Sequence, residues 1–231
     1  MRTTRLMAVA ACAVACTTVM AFADNDDDIG IVPATPLSSS TGFKQALINP
    51  KTGMIFSAYG GYKWMDLTDG QKMQAALKDS FSFLPKEPAV KTGVDKSGKF
   101  TIDCANGVST HAIRWEGFLE MKKAGKYTFL VQKNVQTYEE WRCGYAIAVN
   151  GKVCTASYGQ DSFDVDLMIG FNKVEIVTLL PRFDYVKNAP LLISVKRKGS
   201  LIEPVQLSPG LFRYEDIEVD KDPGIVFPEK K

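Results

Sequence analysis

One histidine in 231 residues is too few for several classes of site. A multi-histidine metal centre is excluded, and a Ser-His-Asp or Cys-His arrangement would have to be built on His111 alone. His111 stands in an alternating strand pattern, which suits a structural or surface histidine better than a general base. A glycine-rich phosphate loop is absent. After the first residues, no run is long and apolar enough to cross a bilayer. There is no basic stripe either: 28 Lys+Arg against 26 Asp+Glu give a formal charge of +2, which argues against a nucleic-acid partner. Asp and Glu are plentiful, so composition leaves paired-carboxylate glycoside cleavage open, but no particular pair stands out.

The first residues have the form of an export signal. Arg2 and Arg5 make a short basic start, residues 6–15 an apolar run, and Ala21-Phe22-Ala23 a small-residue site before Asp24. Cleavage is expected after Ala23, with a retained anchor or a lipoprotein form at Cys12 or Cys16 as the alternatives. Loss of Arg2 and Arg5 brings the formal charge to about zero. The mature chain then holds three cysteines, Cys104, Cys143 and Cys154. An exported protein can oxidise two of them and leaves one free or pairs it between chains. Cys104 shares parity with Phe100 and Ile102, and Cys143 with Tyr145, Ile147 and Val149, so both are expected to face inward. Cys154 falls on the same face but roughly 13 Å from Cys143, too far for a disulfide unless the hairpin bulges. Cys104 with Cys143 or Cys154 is therefore the expected pair, a buried staple.

Residues 24–51 open with an acid cluster (Asp24, Asp26, Asp27, Asp28), contain prolines and a serine run, and read as a flexible N-terminal arm. Within the arm, the apolar stretch 29–32 could add to a sheet edge. Residues 53–59 read as the first strand of the domain, and residues 71–80 as the only helix, capped by Thr68 or Asp69 with Met73, Ala76 and Leu77 inward. A link broken by Pro85 and Pro88 follows. Further strands are expected at 99–104, 111–121, 126–132, 143–149, 162–167, 173–180 and 191–196. Ile113 with Trp115, then Tyr127, Phe129 and Val131, then Tyr145, Ile147 and Val149 put one apolar face on each of three strands. Asn150-Gly151 supplies a tight turn because both residues tolerate positive φ. Residues 215–231 read as a second exposed arm, the C-terminal tail.

The order of these pieces resembles the PA14 domain over residues 52–214. Residues 53–59 look like its opening Gly-Leu-x-x-x-Tyr-Tyr strand, 113–117 its Val-x-Trp-x-Gly and 125–129 its Gly-x-Tyr-x-Phe. Residues 164–170 look like its apolar segment before a glycine turn, 191–195 its penultimate strand and 207–214 its Pro-x-x-Leu-Tyr ending. The resemblance implies an all-β antiparallel sandwich with one short helix, flanked by the two arms, and a non-catalytic binding role. Calcium-dependent members place an Asp-Asp pair directly after the Gly-x-Tyr-x-Phe strand. This chain has Val131-Gln132-Lys133-Asn134 there, and Asn150 before Gly151 where the family commonly has Asp, so no calcium site is carried over. No cofactor is implied.

After that strand, residues 134–142 read as an inserted loop, NVQTYEEWR. Tyr138, Glu139, Glu140, Trp141 and Arg142 combine flat apolar faces with hydrogen-bond donors and acceptors, the groups that stack on a sugar or anchor a protein. Trp115 is expected in the core, and Trp64 either packs a loop or joins a surface platform. The sequence thus points to an exported module that recognises a glycan or an envelope protein without calcium, at the periplasm, cell surface or beyond. The alternative is a structural subunit of a surface assembly, a homo-oligomer joined by a strand-donating arm.

Overall fold

The computed structural model describes residues 30–31, 47, 49–60, 70–106, 110–133, 143–179 and 190–215. Their strands are β1 (Pro50–Thr52), β2 (Met54–Tyr59), β3 (Lys91–Asp95), β4 (Ala112–Met121), β5 (Gly125–Lys133), β6 (Gly144–Val149), β7 (Lys152–Ser157), β8 (Asp161–Leu167), β9 (Gly170–Leu179), β10 (Leu191–Arg197), β11 (Val205–Leu207) and β12 (Arg213–Glu215). One α-helix, α1 (Gly70–Phe83), lies between β2 and β3.

The strands form two antiparallel sheets packed as a sandwich. The larger has the order β1-β12-β4-β9-β6-β7, with β2 also beside β4 and β3 beyond it; the smaller has the order β11-β10-β5-β8. Alternation along each strand dictates the core. Ile113, Trp115 and Leu119 of β4, Val174 and Ile176 of β9, and Tyr145, Ile147 and Val149 of β6 face Tyr127, Phe129 and Val131 of β5 and Ile193 and Val195 of β10 in one buried cluster. The rings interlock: Phe100 stands edge-on to Trp115 at 5.8 Å, and Phe129 stacks on Phe163 at 5.2 Å. Trp115 also donates its indole N–H to Asp95 Oδ2 at 3.0 Å, which gives the buried ring a polar partner.

The outer face of the larger sheet carries α1. Leu77 and Leu84, with Ala76 at the margin, pack on Tyr59, Ala112, Ala146, Val177 and Leu179. The small alanines on β4 and β6 let the helix approach the sheet closely, and Pro85 ends it by withholding a backbone donor. The side chain of Met73 lies outside the description, as do Thr68 and Asp69. Beyond the helix the same face carries a charge cluster: Arg114 pairs with Glu116 at 2.5 Å and with Glu175, and Lys173 pairs with Glu116 at 2.9 Å.

The turn at Asn150-Gly151 has φ of 50° and 79°, both left-handed, and joins β6 to β7 as the residue pair predicts. Two expectations are corrected. Residues 99–104 are not a strand: Phe100 makes a single bridge to Leu191, after which Thr101 accepts the amide of Asp103 at 3.2 Å and starts a 3-10 turn, Ile102–Ala105. Conversely, the link after Pro88 contains β3, which pairs with β2 from Met54↔Asp95 to Ala58↔Lys91. Gly93, which interrupts its pattern, lies against the Phe56 ring, where a Cβ would come within 2.8 Å of that ring.

Candidate functional site

Strand register collects several chain crossings at one end of the sandwich. In the larger sheet Tyr59 lies opposite Ala112, Ala112 opposite Leu179, and Leu179 opposite Gly144. In the smaller sheet Lys133 lies opposite Leu191. The chain therefore leaves this end after Gly60, Lys133 and Leu179, and returns to it at Cys143 and Pro190. The turn from Ser157 to Asp161, with half-exposed Tyr158, belongs to the same end and crosses from one sheet to the other.

The residues singled out in the sequence, Tyr138, Glu139, Glu140, Trp141 and Arg142, lie outside the described residues, and so does Trp64. Both flanks of the 134–142 segment are described. Lys133 closes β5, and its ammonium donates at 2.7 Å to the backbone carbonyl of Cys143, the residue before β6, linking the two sheets. Burial lowers the Lys133 pKa to about 8, with the neighbouring Cys143 offsetting part of the shift. At neutral pH a cation still occupies the position after the Gly-x-Tyr-x-Phe strand. Among the described residues no group of three or more His, Cys, Asp or Glu is placed to hold a metal ion.

A further bond shapes this end. The Tyr145 hydroxyl donates to the Gly159 carbonyl at 2.7 Å, and burial, more than the nearby Asp161, raises its pKa to about 12. The ring is thus a fixed donor under the Ser157 to Asp161 turn, and no proton transfer is expected from it.

The expected disulfide is not seen: no bond joins any two of Cys104, Cys143 and Cys154. Cys104 sits on the 3-10 turn instead of a strand, and burial, with Asp95 adding to it, raises its pKa to about 12. Cys154 falls at a register shift of the β6–β7 hairpin, since Thr155 lies opposite Ile147 and Val153 opposite Ala148. Its thiol donates to the Lys152 carbonyl at 3.3 Å, and burial raises its pKa. The hairpin thus bulges at Cys154, but Cys143 stays at the far end of β6. Neither Cys104 nor Cys154 is poised as a thiolate nucleophile. His111 is buried immediately before β4, with its amide bonded to the Tyr59 carbonyl at 2.7 Å.

The sequence had no signal for the Lys133 to Cys143 contact, which joins residues of two sheets. Nor could it show that Gly60 and Leu179 share an end of the sandwich with Lys133 and Cys143, because that follows from pairing register. The pieces of the PA14 resemblance do fall in order on the sandwich: Gly53 and β2, β4 with Trp115, β5, β8 through Gly170, β10, and the run from Leu207 to β12. The architecture is an all-β antiparallel sandwich on which the pieces of that resemblance keep their order.

No family model matches the sequence, and no curated protein matches it. Solved structures of similar shape include an anti-sigma factor domain-containing protein from Clostridium clariflavum, with 12% identity and a TM-score of 0.44 over 77% of this chain. This chain spans about half the length of that protein, 52%. They also include the epithelial adhesin 9 A domain of Candida glabrata in complex with Galb1-4GlcNAc, with 8% identity and a TM-score of 0.49 over 74% of this chain and 93% of the adhesin chain. A β-glucosidase from Kluyveromyces marxianus in complex with glucose gives a TM-score of 0.42 at 10% identity, over 74% of this chain and 20% of the enzyme.

Proposed function

We propose that this chain is an exported, non-catalytic binding module that recognises a glycan or an envelope protein without calcium, through Tyr138, Glu139, Glu140, Trp141 and Arg142. The observation that carries the reading is the bond that joins the two flanks of residues 134–142: the Lys133 ammonium donates to the Cys143 carbonyl at 2.7 Å. It tethers both ends of the segment to a rigid scaffold and sets a cation where calcium-dependent relatives of the resembled family hold theirs. Stacking by the Trp141 and Tyr138 rings, with Arg142 and the two glutamates as donor and acceptors, then supplies recognition. The leader supports export. The single buried histidine and the raised thiols of Cys104 and Cys154 support a non-catalytic role. Retention of the full chain on immobilised glycans or envelope extracts, with loss in Trp141→Ala, tests the reading.

A second reading, the subunit of a surface assembly joined by an arm, is favoured by one observation. The N-terminal arm already pairs with the sandwich, through Ile31 opposite Met121.

A further inference from the structure

At the end of the sandwich away from the Lys133 base, Gly30 and Ile31 occupy a notch beside the C-terminal end of β4. The Lys122 amide donates to the Gly30 carbonyl at 2.6 Å, and Ile31 pairs antiparallel with Met121 while its side chain packs on the intersheet core. Gly30 is buried with φ of +75°, and a Cβ on it would stand 3.3 Å from the Lys123 nitrogen and 3.4 Å from the Lys123 Cβ. The notch therefore selects a glycine by backbone conformation and close approach, and then an apolar side chain.

In the sequence these two residues belong to Asp28-Ile29-Gly30-Ile31-Val32, which follows the acids Asp24, Asp26 and Asp27. The same pattern recurs in the C-terminal tail as Asp222-Pro223-Gly224-Ile225-Val226, preceded by Asp216, Glu218 and Asp220. The one difference, Pro223 for Ile29, falls before the glycine and outside the pair that the notch reads. Both copies thus present an acidic run and then Gly-Ile-Val, and the rim of the notch carries Lys122 and Lys123, of complementary charge.

We propose that this notch is an acceptor for Asp-x-Gly-Ile-Val segments, and that its second occupant is segment 222–226 of another copy of this chain, exchanging with the resident N-terminal arm. Backbone pairing beside β4 and burial of Ile225 on the core would hold it, as they hold Ile31. Donor tail and acceptor notch are different surfaces, so the contact is heterologous and propagates head to tail into a ring or a filament. The inference deepens the assembly reading above and is independent of binding by residues 138–142.

The test uses the full chain, its Ile31→Asp variant, the double variant Ile31→Asp/Ile225→Asp, and a labelled peptide of residues 216–231. Gly30→Ala, which weakens the arm through backbone strain, serves as a milder partner to Ile31→Asp, and unchanged circular dichroism and Trp fluorescence show that each variant is folded. Ile31→Asp is expected to gain mass with concentration, and the double variant to return to the monomer. The peptide is expected to bind the double variant about tenfold tighter than the wild type, and to lose binding when it carries Ile225→Asp. Equal masses for single and double variants, with no peptide binding to either, overturn the proposal, while arm-deletion effects on mass could still uphold assembly by another route. A monomeric Ile31→Asp, with peptide bound only by the double variant, also overturns it by showing that the tail fills the notch of its own chain.

Discussion

A buried carboxylate and a half-buried ammonium set the residue-scale energetics. Asp95 is buried and accepts from the Trp115 indole at 3.0 Å and from the Ser97 amide at 2.9 Å. Trp115→Phe replaces the buried indole with a smaller phenyl and removes one donor, so a buried carboxylate loses a partner and a cavity opens beside it; a loss of about 2–4 kcal/mol is expected from urea denaturation. Lys133 has the opposite problem, a charge that is costly to bury. Its pKa is about 8 in the folded chain against 10.5 for the free side chain, so the unfolded chain holds the proton longer and the folded state gains stability as pH rises through that interval. Wild type should therefore gain on Lys133→Met between about pH 7 and about pH 9.5 in parallel denaturation curves. A constant difference between the two curves would mean that the ammonium is not desolvated.

Among the elements, the turns at the end opposite the Lys133 base are tied to one another by side chains. Asn172 is fully buried at the start of β9; it accepts from the Met168 amide at 3.0 Å and from Asn150 Nδ2 at 3.1 Å, and donates to the Met168 carbonyl at 2.8 Å. Asn150 accepts the Lys173 amide at 2.9 Å, so the β6–β7 turn and the β8–β9 turn form one network. Asn172→Ala orphans groups in both turns and is expected to cost about 2–3 kcal/mol, with faster amide exchange at Asn150 and Met168 than in the strand centres.

At this scale the sequence was informative wherever the cause was local. Alternation placed Ile113, Trp115, Tyr127 and Tyr145 in the core, Asn150-Gly151 defined its turn, and the helix emerged from the spacing of Ala76 and Leu77. It failed where a long-range contact decided the outcome. Gly93 breaks the β3 pattern because the Phe56 ring needs its space, and Thr101 turns the chain before Cys104 can continue a strand. The candidate site was legible only as composition, since Lys133 meets Cys143 across the sandwich and nothing in the spacing announces it.

For the whole molecule, the two ends of the sandwich carry different devices. One end gathers the chain crossings around the Lys133 base, and the other holds the arm in its notch. Among the described residues no helix is long and apolar enough to cross a membrane. The two ends should separate genetically: Trp141→Ala is expected to alter ligand retention and leave mass unchanged, and Ile31→Asp to alter mass and leave retention unchanged. Coupled effects in both assays would contradict the independence of the ends.

The most direct test of the central claim is retention of the wild-type chain on a glycan array and on envelope protein extracts in excess EDTA, beside Trp141→Ala at equal concentration. The account predicts retention that survives the chelator and falls by at least about tenfold in the variant while its fold is unchanged. Retention that requires calcium, or that is equal for the two chains, would contradict it.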